Sequence, residues 1–388
     1  MNDFNRLRLK HHGDPQKLWE ILQAECRAKT AKKLPVTLRC QEFVFPSLQI
    51  AEMATSDDVA AIHASLIPEN SKVLDMTCGL GIDTFHFALK AASVTAVELN
   101  HDNYVAACHN KAALGLDNVC VIEGDSINWL SNQSDKHFDV IFIDPARRDA
   151  SGRHFALKQC QPDVVESLHL LMDRCDRLII KASPMIDIEG AWRELGVECC
   201  ETVVIGTRKE CKEVVFILSG KYPATDVIRC ITIDSPEFSF SKTTERGTSS
   251  LSLGEGDMKI IEEPPCGYLY EPYPAVMKGG GMGCLSRVFD LRKFHPNTNL
   301  FFSATYIPDF PGEIFAIKNI MPFSKAAVKG FSAQYPKLNV AVRNFPLSAP
   351  ELAKKLKIKE GGSEMVFGLT ATGGNKYLII TDMAQKQA

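Results

Sequence analysis

No apolar run in this 388-residue chain approaches the roughly 20 residues that a membrane-spanning helix needs. Its apolar runs, such as residues 140–143, are the size of strands. The start of the chain also lacks the apolar stretch of a secretory signal, because residues 1–10 alternate polar and apolar side chains and include three basic ones. Both absences predict a cytoplasmic protein with no membrane partner. Metal-binding cysteine patterns are missing too. The thirteen cysteines are odd in number and scattered, with no C-x-x-C pair and no Cys/His cluster at zinc spacing; only Cys199 and Cys200 adjoin. Free thiols in a reducing compartment account for them, and no metal is expected. There is no G-K-[ST], which excludes a P-loop nucleotide hydrolase. Net charge is only −3, so a nucleic-acid partner would have to be met by a local patch.

Apolar residues make up 45% of the chain, enough for two or three domains. Residues 14–33 read as a short helical cap, with Pro15 in the first turn and Leu18, Ile21, Leu22 and Cys26 on one face. Residues 43–46 read as an extended segment ended by proline. A second helix is expected from Ser56, its N-cap, through Val59, Ile62 and Leu66 to Pro68. From Lys72 onward, short apolar runs alternate with helical stretches, the pattern of a doubly wound parallel sheet. Strands are expected at 72–76, 93–99, 119–123, 138–144 and 177–182. Residues 197–205 and 213–219 then follow with only 206–212 between them. That pair predicts an antiparallel hairpin at one edge, the feature that separates a class I methyltransferase sheet from a plain dinucleotide-binding one. Residues 221–224 read as a boundary, and 235–265, with period-2 patches such as Phe238-Ser239-Phe240, as a small α+β unit. Strands at 338–343, 365–369 and 377–381 and a helix at 349–356 form a third domain.

The first strand of the sheet runs through Asp75 into Met76-Thr77-Cys78-Gly79-Leu80-Gly81-Ile82-Asp83-Thr84 and then a helical stretch. Glycines at 79 and 81 let the backbone turn tightly and approach a ligand, while the following helix offers unpaired N–H groups. A lone G-x-G is weak. Its context is stronger: Asp75 ends the first strand, Glu98 the second, and Asp125, before Ser126, follows the third. An open α/β sheet places its ligand at these carboxyl ends. In a site for S-adenosylmethionine, Glu98 would accept from both ribose hydroxyls, Asp125 from the adenine amino group, and Asp75 would lie near the cationic amino acid end. Negative charge suits a positive sulfonium and ammonium and repels a pyrophosphate. The expected donor-binding set is Asp75, Thr77, Cys78, Gly79, Gly81, Asp83, Thr84, Glu98, Asp125, Ser126 and Asp144. The rival, a nicotinamide or flavin dinucleotide fold, asks for G-x-G-x-x-G/A, and here the third position is Thr84.

The fourth strand ends in Asp144-Pro145-Ala146-Arg147-Arg148-Asp149. Amino-group methyltransferases carry D/N-P-P and an aromatic here, the acid and the proline carbonyl accepting from the amine. Asp144 and Pro145 fit; Ala146 replaces the second proline and Arg147 the aromatic, though an arginine plane can also stack on a base. Asp144, Pro145 and Arg147 are therefore the expected catalytic residues. Methylation at carbon 5 of a pyrimidine needs a cysteine nucleophile, which the relevant families place just after the fifth strand. That segment is Ile180-Lys181-Ala182-Ser183-Pro184, without cysteine. Lys181 and Ser183 either cap the strand end or serve the acceptor. His86, His101 and His109 read as structural or surface groups, and His154 alone sits on the loop after Asp144.

With these residues in view, the chain resembles bacterial class I methyltransferases, common in Bacteroidetes, that carry a ferredoxin-like segment and a C-terminal THUMP-like domain. The matching segments include the donor loop, Asp144-Pro145-Ala146-Arg147-Arg148, Lys181-Ala182-Ser183-Pro184-Met185-Ile186-Asp187-Ile188, Tyr268-Leu269-Tyr270-Glu271-Pro272, Phe310-Pro311-Gly312 and Val342-Arg343-Asn344-Phe345-Pro346-Leu347. It departs at Cys78, often glycine in the family, and at Met277-Lys278-Gly279-Gly280-Gly281, usually richer in alanine. The resemblance implies an α/β class I methyltransferase fold with a Rossmann-like seven-stranded sheet, an N-terminal helical region over 1–70, the methyltransferase domain over 71–221, and small α+β domains, ferredoxin-like over 226–320 and THUMP-like over 321–388. It also implies S-adenosylmethionine as cofactor and suggests RNA as partner. Between Lys325 and Lys359 eight basic residues face a single acid, Glu351, a local excess able to track a phosphate backbone. A small-molecule methyltransferase with the same donor site, or a non-catalytic RNA-binding protein, stands as the alternative.

Overall fold

The computed structural model describes residues 3–133, 137–147, 156–196, 201–220, 225–242, 260 and 266–383. They form two units, Met1–Glu201 with Glu213–Thr225, and Thr202–Lys212 with Asp226–Ala388. Arg148, Asp149, His154, residues 197–200, the expected boundary at 221–224 and most of 243–265 lie outside the described residues.

The first unit opens on α1 (Asp3–Lys10) and α2 (Pro15–Thr30). The Asp14 carboxylate caps α2 by accepting the Lys17 amide at 3.1 Å. Two short helices follow, α3 (Leu48–Met53) capped by Ser47 and α4 (Asp57–Ser65) capped by Ser56. The expected extended segment is present but pairs with no strand among the described residues. Gln23 bonds both backbone groups of Phe45, at 2.8 and 2.9 Å, and Asn110 both groups of Val44, at 2.8 and 3.0 Å. Two side-chain amides thus satisfy backbone that would otherwise need a sheet neighbour. Phe43 and Phe45 can then turn inward, packing with Cys26, Leu34, Leu80, Ile82 and Phe85. The N-terminal region shares its core with the glycine loop, and so is the loop's foundation and not a separate cap.

The sheet of this unit takes β1 (Lys72–Asp75), β2 (Ser93–Glu98), β3 (Val119–Glu123) and β4 (Phe138–Ile143). Beyond β4, β5 (Ala146–Arg147) pairs antiparallel with β6 (Cys160–Gln161), and β7 (Cys175–Ala182) returns to the sheet. Strand β8 (Glu201–Gly206) falls in the second unit save for its first residue, and β9 (Cys211–Ser219) lies antiparallel to β7. Across the first unit the order is β3-β2-β1-β4-β7-β9, with all pairs but the last parallel. Parallel strands covered on both faces read as continuous apolar runs, and residues 140–143 of β4 are all buried. The connecting helices are α5 (Ile82–Ala88), α6 (His101–Ala113), α7 (Ser126–Ser131), α8 (Val164–Asp173) and α9 (Ile188–Glu194).

In the second unit, β10 (Val227–Thr232) lies parallel to β8 and antiparallel to β11 (Phe238–Ser241), where Phe238 and Phe240 are buried and Ser239 is exposed. A separate seven-stranded sheet joins β12 (Tyr268–Pro272), β13 (Arg292–Lys293), β14 (Phe301–Ser303), β15 (Gly312–Pro322), β16 (Asn339–Arg343), β17 (Glu364–Thr370) and β18 (Lys376–Met383) in the order β13-β14-β12-β15-β18-β17-β16. The expected boundary at 320/321 therefore falls inside β15. β16 and β17 are parallel, which requires a crossover, and the helix Ala349–Leu356 supplies it. Its capping box is complete: the Ser348 hydroxyl accepts the Glu351 backbone amide, and the Glu351 carboxylate accepts the Ser348 amide at 2.8 Å. The helix Lys325–Gln334, which the sequence reading left out, packs beside it through Phe331, Leu352 and Leu356.

Candidate functional site

Strands β3, β2, β1 and β4 are parallel neighbours, so Asp125, Glu98, Asp75 and Asp144 stand in that order along one edge, the carboxyl ends of the strands. The glycine loop crosses above them. Gly79 and Gly81 adopt φ of 57° and 87°, left-handed values that favour glycine. The two positions differ in what surrounds them. A Cβ on Gly81 would lie 2.4 Å from the Phe85 ring, whereas one on Gly79 would meet nothing nearer than a backbone oxygen at 4.0 Å. Gly79 thus leaves an open approach to its backbone, and Gly81 is packed shut.

Hydrogen bonds fix the loop to the strand ends. The Glu98 carboxylate accepts from the amides of Gly79 (2.6 Å) and Asn100 (2.9 Å) and from the Asn103 side chain (3.3 Å). The buried Asp75 carboxylate accepts from the Thr77 amide (3.0 Å) and the Thr84 hydroxyl (2.5 Å). Burial pushes its pKa up to about 7, against the pull of those two hydrogen bonds, and the nearby carboxylates of Asp83 and Asp144 raise it further. The Thr77 hydroxyl accepts the Asp144 amide at 2.7 Å, tying the loop to the end of β4. Asp125 caps α7 through Oδ1, which accepts the Asn128 amide at 2.8 Å, while Oδ2 has no partner among the described residues. Ser126 is buried beside it.

Three expected donor contacts are arranged differently from the rest. Cys78 turns its side chain into the core against Ala96 and Ala107, and burial raises its thiol well above the usual range. The Thr84 hydroxyl is directed to Asp75. Asp83 aims its carboxylate at α4 and the residues just before it, accepting from the Thr55 hydroxyl (2.6 Å) and from His63 Nδ1 of the helix (2.7 Å). On the acceptor side Pro145 is buried, and Ala146 and Arg147 form β5. Ser183 accepts the Met185 amide at 3.1 Å and so shapes a turn, but Lys181 reaches Asp144 Oδ2 at 2.8 Å. His86, His101 and His109 bond to Ile82, Glu123 and Glu42 respectively.

A group that the sequence reading missed lies beneath this edge. His63 is fully buried, with Nδ1 on Asp83 and Nε2 on Glu213. A neutral imidazole can donate from one nitrogen only, so two carboxylate partners call for the imidazolium. Burial opposes that charge, yet Glu213 and Asp83 outweigh it and lift His63 to about 10. Lys181 is likewise held charged: burial works against its ammonium, and Asp144, Glu213 and Asp83 overcome it. The signal in the sequence was faint. His63 stands four residues after Val59 and three after Ala60, on the buried face of α4, and Glu213 heads the apolar run of β9.

Comparison with known proteins bears on this geometry. Residues 67–182 match a methyltransferase domain, 268–311 a ferredoxin-like domain and 312–383 a THUMP domain-like family. A crystal structure from Porphyromonas gingivalis W83, assigned as a methyltransferase, superimposes with a TM-score of 0.86 at 30% identity, over 98% of this chain and 94% of that one. The chain belongs to this methyltransferase family. An S-adenosylmethionine-dependent methyltransferase of Mycobacterium tuberculosis CDC 1551, itself uncharacterized, is 31% identical over 48% of this methyltransferase and 49% of its own length. A 23S rRNA (uracil-C5)-methyltransferase of Marinomonas posidonica is 29% identical over 34% of this chain and 30% of its own. The chain thus spans half or less of the length of these curated relatives.

S-adenosylmethionine is the cofactor of this family, and the residues fit it. Among the carboxylates at the strand ends, Glu98 is anchored by two backbone amides, Asp75 is buried, and the approach to Gly79 is open. Acidic side chains around a cationic donor are electrostatically apt, and glycine permits close approach of its adenosine end. Among the described residues no helix is long and apolar enough to cross a membrane, and no group of three or more His, Cys, Asp or Glu side chains could hold a metal ion.

Proposed function

We propose that this methyltransferase carries the methyl group of S-adenosylmethionine to RNA, at nitrogen or oxygen and not at carbon 5 of a pyrimidine. The RNA reading is carried by the basic face of residues 325–359. Lys325 and Lys329 on one helix, Lys354 and Lys355 on its neighbour, and Lys337, Lys357 and Lys359 are exposed, while Arg343 is paired with Glu271 at 2.5 Å. A parallel bridge sets Lys337 beside Lys359. Seven cations, none paired with an acid among the described residues, form a track for phosphates. The rRNA activity named for the Marinomonas relative agrees with an RNA acceptor, but not with its carbon-5 chemistry. Lys181-Ala182-Ser183-Pro184 offers no thiol, and Cys78 is buried with a raised pKa.

The donor roles follow from the carboxylates. Glu98 receives the ribose hydroxyls, Asp125 the adenine amino group through Oδ2, and Asp75 lies at the cationic end, with Thr77, Gly79, Gly81, Thr84 and Ser126 shaping the backbone around them. The bound donor supplies an electrophilic methyl group. Asp144, Pro145 and Arg147 hold the acceptor against it and exclude water, so that catalysis comes mainly from positioning. A base within structured RNA would have to be turned out of its stack to reach Asp144.

Asp75 gives a pH signature. With its pKa raised to about 7, it is mostly protonated at pH 6 and ionised at pH 8, and a cation beside it favours the ionised form. Donor affinity measured by calorimetry will therefore rise between pH 6 and 8 by up to about tenfold, with proton release, and Asp75→Asn will flatten the profile. A flat wild-type profile contradicts the placement of Asp75 by the donor. The acceptor is tested by incubating the protein with labelled donor and total RNA from a strain lacking it, followed by nucleoside analysis. Label is expected in N- or O-methylated nucleosides; label confined to a small-molecule fraction, or in 5-methylpyrimidines, overturns the reading.

A further inference from the structure

Lys181 Nζ stands at the junction of a closed ring. It donates to Thr55 Oγ1 at 3.1 Å; that hydroxyl donates to Asp83 Oδ2 at 2.6 Å; Asp83 Oδ1 accepts from His63 Nδ1 at 2.7 Å; His63 Nε2 donates to Glu213 Oε1; and Glu213 Oε2 returns to Lys181 at 3.5 Å. The ring holds two cations, His63 and Lys181, and two carboxylates, Asp83 and Glu213, so it is neutral as a unit. Every member is at least half-buried, and the His63, Asp83, Lys181 and Glu213 side chains are 0, 12, 13 and 8% exposed. Lys181 also reaches out of the ring, donating to Asp144 Oδ2 at 2.8 Å. Asp144 is the exception in exposure, at 42%. Its Oδ1 has no partner among the described residues, and its amide is pinned separately by Thr77.

We infer that Lys181 is the positioning residue of the acceptor site: the ring fixes its ammonium, the ammonium fixes Asp144 Oδ2, and Oδ1 is left to accept an N–H or O–H of the acceptor. This rests on the reading of Asp144 as the acceptor-orienting group. An ammonium in water would swing on four rotatable bonds, and a buried one held by two hydrogen bonds and an ion pair does not. A fixed acceptor oxygen selects a substrate that can donate a hydrogen bond at the reacting atom, an exocyclic amine or a hydroxyl, over a ring carbon, which has no such hydrogen to offer. It also makes the segment from Thr55 to His63, outside the methyltransferase domain match at 67–182, part of the active-site architecture.

The test is a double-mutant cycle on Lys181→Met and Asp144→Asn, read as the initial rate of label transfer from saturating donor to total RNA of a strain lacking the protein. Lys181→Met is expected to lower the maximal rate about 10²-fold, the scale of a misplaced reacting group, with donor Kd within about twofold of wild type. The double variant is expected to be no slower than Asp144→Asn alone, because both changes remove one interaction. Additive losses overturn the inference, since they mean that Lys181 acts elsewhere. An Asp144→Asn variant at wild-type rate overturns instead the underlying role of Asp144. A readout independent of turnover is the crystal structure of Lys181→Met with S-adenosylhomocysteine. The Asp144 carboxylate is expected to leave its place, and a carboxylate within about 0.5 Å of its wild-type position, the tolerance of a productive site, contradicts the inference. Should Lys181→Met fail to fold, Thr55→Val, which removes a neutral member of the ring, replaces it in both measurements.

Discussion

Replacing His63 with leucine will lower the unfolding free energy by about 3–5 kcal/mol, the cost of leaving buried charge without its partner. Asp83 and Glu213 both depend on this imidazolium, and both are held below the ordinary carboxylate range, against the cost of burial, by His63 first and Lys181 second. Without it Lys181 is left as the one cation of the ring against two carboxylates, beside the Phe142 ring, which lies 5.2 Å from the imidazole. Urea denaturation measures the loss, and adding Glu213→Gln to His63→Leu is expected to restore part of it. The same residue sets a pH window. His63 titrates near 10 when folded against an ordinary 6.5, so the folded state keeps a proton that the unfolded state has lost. The stabilisation is complete below about 6.5 and disappears as pH rises through about 10. Wild-type stability will fall across that window more steeply than that of His63→Leu; parallel curves would mean that the imidazole is neutral.

Gly81→Ala is the second large effect. The new methyl group would combine a left-handed φ of 87° with a contact of 2.4 Å to the Phe85 ring, and Phe85 is itself buried in the core built with Phe43 and Phe45. Neither the ring nor the loop can yield without disturbing the other. Backbone strain of about 1–3 kcal/mol is then joined by an overpacking cost of about 1–3 kcal/mol, and the loop is displaced from Glu98. A drop in melting temperature together with loss of donor binding is expected. Gly79→Ala, where the space is open, isolates the conformational term alone at about 1–2 kcal/mol. Equal losses at the two positions would show that packing against Phe85 contributes nothing.

The parallel strands were legible because burial on both faces writes an uninterrupted apolar run, as in β4, and the donor loop because glycine and carboxylate fall at successive strand ends. A helix cap was legible where a polar side chain precedes a periodic stretch, as Ser56 does. What escaped was set by distant partners. The segment 43–45 stays out of a sheet because Gln23 and Asn110 satisfy its backbone, and neither amide announces that role. α3 is six residues long, too short for a periodicity to emerge. The boundary expected at 320/321 fell within β15 because the unit beyond residue 268 is organised around one sheet, which no single segment reveals. The buried ring draws on residues 55, 63, 83, 181 and 213, and of these only Asp83 and Lys181 stood in recognisable motifs. Asp83 is expected at the donor from its place in the glycine loop, and its carboxylate also bonds Thr55 and His63, partners that the loop sequence does not announce.

The account stands on a crevice in which acidic side chains at the carboxyl ends of parallel strands hold a positively charged methyl donor through Glu98. Calorimetric titration with S-adenosylhomocysteine tests it directly, comparing wild type with Glu98→Ala. Binding at one site is expected for wild type and an affinity about 10²–10³-fold weaker for the variant, the loss of two charge-assisted hydrogen bonds. No heat of binding with the wild-type protein, or equal affinity in the two, contradicts it.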